Sequence, residues 1–78
     1  MKRGKFTPAQ KKFLQKIGGR IKKYRKEKKL SQSEFGYKID MDKPHVSRAE
    51  AGEHNFTILT AQRFAEGLEI PLNKLFED

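Results

Sequence analysis

Cysteine is absent from this 78-residue chain, which removes disulfides and thiolate metal sites. No apolar run approaches the roughly 18 residues that a membrane span needs, and no signal-peptide core follows the basic first residues. Hydrophobic residues are outnumbered by charged ones, 35% against 36%, so the chain supports one thin core and no large substrate cleft. Its length allows a single domain, since domains usually run to roughly 100–150 residues. Acids are scarce in one half only. Residues 1–30 hold thirteen bases and a single acid, Glu27, for a formal charge of +12; residues 31–78 carry −4. A half this basic attracts a polyanion, nucleic acid being the commonest, although a solvated helix face gives the same composition.

Catalytic patterns are missing as well. Ser31, Ser33 and Ser47 lack a His/Asp relay, and serine at a helix start is ordinarily a cap. Gly18-Gly19 is not followed by Gly-Lys-Ser/Thr, so it is no phosphate-binding loop. His45 and His54, nine residues apart and without cysteine, make a poor metal site. With no paired carboxylates, metal cluster or activated nucleophile, the chain reads as a non-enzyme that needs no cofactor.

What is present is helical periodicity. Thr7 and Pro8 are a cap followed by a first-turn proline. Phe13, Leu14, Ile17, Ile21 and Tyr24 then trace one helix face. Gly18-Gly19 weakens that helix, so the pattern fits one long helix or two, over 8–16 and 18–28. Ser31 and Glu34 form a capping box for a short helix that buries Phe35 and Ile39. Asp40 suits a left-handed turn, and Asp42 caps the next helix by accepting from the His45 amide. Val46 and Ala49 face inward on it, and Gly52 ends it. A fourth helix starts at Thr57, with Ile58, Leu59, Ala61, Phe64, Ala65 and Leu68 apolar. Pro71-Leu72 opens a short fifth. The chain is all-α, without repeats.

Two helices of about eight residues joined by Asp40-Met41-Asp42 match helix-turn-helix arithmetic. Gly36, costly in a free helix, fits where a crossing helix approaches closely, with Val46 as its apolar partner. The run from Ile21 through Tyr24-Arg25 to Leu30-Ser31-Gln32, then Phe35-Gly36, Ile39 and Val46-Ser47-Arg48-Ala49-Glu50-Ala51-Gly52, resembles the lambda-repressor-like family, the Cro/cI or XRE type. The tail from Leu59 to Phe76 is similar to that family's last two helices. The resemblance covers about residues 17–76. It departs at Asp40, where glycine is usual, at Pro44, usually polar, and at Ala49, usually larger.

The resemblance implies a compact five-helix domain over 17–78, carrying a basic N-terminal helical extension over 1–16. It implies a transcriptional regulator that places the helix over 43–51 in the major groove of double-stranded DNA. Lys43, Pro44, Ser47 and Arg48 are then the expected base contacts, Arg48 foremost because its fork matches guanine O6/N7. Gln32, His45, Ala51, His54 and Asn55 are expected at phosphates. Arg25 and Glu50 resemble a partly buried scaffold ion pair of some relatives. The expected partners are DNA and a second copy, through Ile70, Leu72, Leu75 and Phe76 or through Phe6 and Phe13, with no membrane or small-molecule ligand. The expected location is the cytoplasm, on the nucleoid. The rival reading is a protein-interaction module, an antitoxin or adaptor that keeps the fold; membrane-surface binding by the basic first helix is a third.

Overall fold

The computed structural model describes residues 6–77; residues 1–5 and 78, including the bases Lys2, Arg3 and Lys5, lie outside the described residues. Four α-helices follow in order: α1 (Pro8–Glu27), α2 (Gln32–Lys38), α3 (Lys43–Glu50) and α4 (Ile58–Leu68). The fifth element is a four-residue 3-10 turn, Leu72–Leu75, rather than an α-helix. Its brevity explains this, because Pro71 opens it and Phe76 already closes it. No strand occurs among the described residues.

Each α-helix starts at a side chain that satisfies a free backbone amide. Thr7 accepts from Gln10 and Ser31 from Glu34, both as reciprocal capping boxes, Asp42 accepts from His45 and Thr57 from Thr60. Three helix ends turn through left-handed residues that are not glycine: Lys29, Asp40 and Glu69. Glu69 is held there by Lys28 at 3.0 Å and Lys38 at 3.2 Å, which ties α4's end to α1 and α2. Those two hydrogen-bonded ammonium groups hold its carboxyl below the usual carboxylate range.

α1 is one continuous helix of 20 residues, not two. Gly18 does not break it; it lets α1 cross α3. A methyl group there would stand 2.5 Å from the Glu50 carbonyl oxygen and would also strike the Ala49 carbonyl. Gly19 faces open space. Gly36 makes the matching close approach to the Met41 carbonyl and Val46 Cγ2, the latter 3.3 Å from where its methyl would lie. Gly67, which costs α4 helix propensity, sits against Ile39 and Phe35. Three of the helical glycines are therefore contact points between helices.

The core joins Ile17 and Ile21 of α1, Phe35 of α2 with the capping Ile39, Val46 and Ala49 of α3, Phe64, Ala65 and Leu68 of α4, and Leu75. Leu75 is fully buried in the chain's own core, which removes it from the expected pairing surface. Phe76 is half-buried and stacks on Phe13 with ring centroids 6.3 Å apart. Phe13 is half-exposed, so it lies at the edge of the inward face of α1 and not within it.

Candidate nucleic-acid interface

α3 divides cleanly by face. Val46 and Ala49 are wholly buried, whereas Lys43, Pro44, His45, Ser47 and Arg48 are exposed. Seven or eight residues of helix cannot hold their own orientation in water, so that division depends on tertiary contacts. Val46 and Ala49 seat it from below. Glu50 fixes it from the end.

The Glu50 carboxylate accepts from Arg25 Nε at 2.5 Å and Nη2 at 3.0 Å, and from Gln32 Nε2 at 3.0 Å. Arg25 also donates through Nη1 to the Leu30 carbonyl at 2.7 Å. The side chains of the pair are only 8% and 4% exposed, so a carboxylate and a guanidinium share one buried junction of α1, α2 and α3. The planar fork of arginine makes this geometry; lysine would offer a single point charge. Among the described residues no buried side-chain nitrogen or oxygen lacks a hydrogen-bond partner. Gln32 thus braces the α2–α3 angle while remaining half-exposed at the first turn of α2.

At the opposite end, Asp42 accepts from the His45 backbone N–H at 3.0 Å and lies 2.9 Å from His45 Nδ1. The backbone bond first, then the ring, hold the Asp42 carboxyl below its ordinary value. His45 meets His54 edge-on, His54 meets Phe56, and Phe56 meets Phe64, with centroids 6.1, 4.9 and 5.5 Å apart. Phe56 carries no motif that marks it in the sequence, yet it links the α3–α4 loop to the core. Burial, followed by the neighbouring charges of His45 and Arg48, pushes the His54 imidazole below its usual value. Asn55 and the α3 cap Ala51 are exposed. Gly52, at φ +79, turns the chain out of α3 where only hydrogen clears Gln15 of α1, whose Cα would be 2.8 Å from a methyl.

The structure therefore gathers Lys43, Pro44, Ser47 and Arg48 on the open side of α3. His45 stands with them, its ring against that of His54, while Gln32 reaches Glu50 at the C-terminal end of α3, where the exposed Ala51 and Asn55 follow in the chain. No group of three metal-ligating side chains forms among the described residues. No helix is long and apolar enough to cross a membrane.

A helix-turn-helix family model matches residues 21–75, and the chain belongs to that family. It is a DNA-binding transcriptional regulator. It is similar to control protein C.MunI from Mycoplasma sp, at 39% identity over 64 residues that span 81% of this chain and 86% of that protein. Its fold matches the restriction-modification controller protein C.AhdI from Aeromonas hydrophila, with a TM-score of 0.77 and 30% identity over 81% of this chain and 96% of that one. It also matches an HTH_3 family transcriptional regulator from Vibrio cholerae, with a TM-score of 0.79 and 28% identity over 86% of this chain and 38% of that one.

Proposed function

We propose that this protein is a homodimeric operator-binding regulator that controls the genes of a restriction–modification system. The observation that carries the reading is the division of α3, whose apolar residues are wholly buried while Lys43, Pro44, Ser47 and Arg48 stand open. In this reading α3 enters the major groove. Arg48 donates both arms of its fork to guanine O6 and N7, Lys43 and Ser47 take neighbouring polar edges, and Pro44 meets a thymine methyl. Gln32, His45, Ala51, His54 and Asn55 border the phosphates and set register. The basic residues 1–16, an extension of the domain over 17–78, add attraction that is independent of sequence. The assignment to restriction–modification control is supported by the similarity to C.MunI and C.AhdI.

A single small domain buries too little surface for high specificity, so two copies occupy half-sites roughly 34 Å apart. The regulator then acts by occupancy, blocking or recruiting polymerase on nucleoid DNA in the cytoplasm. Selection of bound sequences from random duplex DNA tests this directly. A two-fold symmetric consensus is expected, and affinity should fall with salt at a log–log slope of about −0.9 per phosphate contacted. Absence of any enriched sequence would overturn the reading and favour a protein-binding role.

A further inference from the structure

The chain's two histidines, His45 and His54, are nine residues apart in sequence, yet their rings meet edge-on with centroids 6.1 Å apart. Each ring is held from behind. His45 Nδ1 lies 2.9 Å from the Asp42 carboxylate, and His54 rests on Phe56, which rests in turn on Phe64 of the core. Capping does not require the first of these contacts, because Asp42 already accepts from the His45 backbone N–H. The second does not suit an imidazole, since burial penalises its charged form and an apolar ring would sit on Phe56 at no such cost. Folding of the chain asks for neither imidazole beside the open side of α3.

Proton chemistry gives the pair a use. A carboxylate only accepts hydrogen bonds, so Nδ1 carries the proton in the Asp42 contact. In the neutral ring Nε2 is then a lone pair, on a side chain that is 48% exposed. A phosphodiester oxygen also only accepts. Neutral His45 therefore has nothing to donate to it, and the Asp42 carboxylate behind the ring repels it. A second proton turns Nε2 into a charged donor. The charged groups that face the pair are Asp42 from the α3 cap and Arg48, one turn along from His45. The loop and α4 contribute the uncharged Phe56 and Phe64. With both rings protonated beside Arg48, three cations meet one anion, an excess that an arriving phosphate relieves.

We propose that His45 and His54 form a phosphodiester site that closes only when protonated, so that docking on duplex DNA is coupled to proton uptake; the inference rests on the reading that α3 enters the groove. Asp42 is its positioning residue. It engages Nδ1, leaves Nε2 for the phosphate and favours the charged ring. The bound chain holds more protons than the free one, so affinity rises as pH falls, by up to about 10-fold per pH unit for each proton taken up. The free His54 ring gains its proton below the ordinary histidine value of about 6.5, so the rise extends below that pH.

Fluorescence anisotropy of the full chain on its selected duplex, at fixed salt and from pH 8 to pH 6, tests the coupling, with circular dichroism confirming the fold at each pH. Affinity should rise about 10-fold or more across that range. Titration calorimetry at pH 7 in two buffers of different ionisation enthalpy should show protons taken up. His45→Gln combined with His54→Gln keeps polar side chains that do not titrate, and should remove most of the slope and of the uptake. The amino terminus, which titrates in the same range, is the same in every variant. Asp42→Asn retains a capping oxygen, so it should leave the melt nearly unchanged while moving the profile to lower pH. A double variant that binds with the wild-type slope overturns the proton-dependent site and leaves the groove reading standing. A chain that binds no duplex at any pH overturns both.

Discussion

Gly18 and Gly19 are adjacent in sequence and opposite in consequence. Alanine at Gly18 would drive a methyl into two backbone carbonyls of α3 that cannot retreat without moving the helix, and overpacking of this kind costs about 1–3 kcal/mol. Alanine at Gly19 meets nothing and removes backbone freedom from the unfolded chain, a gain of roughly 1 kcal/mol. Urea melts of the two variants should therefore move in opposite directions. Arg48 and Glu50 separate in the same manner. Glu50→Ala leaves Arg25 buried without its carboxylate and should lower stability by about 3 kcal/mol or more. Arg48→Ala, at an exposed position, should leave the melt unchanged and reduce discrimination at one base pair by about 1–3 kcal/mol. Affinity loss in Glu50→Ala without a lower melt would contradict the scaffold role.

The elements begin where local chemistry puts them. Caps at Thr7, Ser31, Asp42 and Thr57 are side chains reaching amides three residues away, and such short-range signals are legible in a sequence. Asp42→Ala should accordingly cost about 1 kcal/mol, read as a lower melting midpoint, and it also frees the His45 ring. What was not legible depends on distant partners. The continuity of α1 through Gly18-Gly19 has its reason in the end of α3, about thirty residues away. The left-handed ends at Lys29 and Glu69 carry no glycine or asparagine to announce them. Helical periodicity gathered Phe13 with the buried residues of α1, but the helix reaches past the core before that ring is covered. The open side of α3 was legible because Val46 and Ala49 fix its rotation; the brace from Gln32 to Glu50 was not, because it spans two helices.

Over the whole molecule, acidity should act through His54 and Glu69. The His54 imidazole is held below its ordinary value, so between that lowered value and about 6.5 the unfolded chain binds more protons than the folded one. This contribution to stability is complete above about pH 6.5 and is lost as pH falls through the window. Melting temperatures should drop from pH 7 toward pH 5.5, and His54→Phe should flatten that slope. The lowered Glu69 carboxyl adds a second decline at more acidic pH, since its contribution is lost as pH falls through its folded value. The shared Glu50 junction has a consequence for kinetics. Because α1 and α2 clamp α3 before any ligand arrives, the reading helix reaches a duplex with its shape already set. Capture should then resemble the meeting of two rigid bodies, with an on-rate governed by ionic strength and no slow ordering phase in the approach to equilibrium.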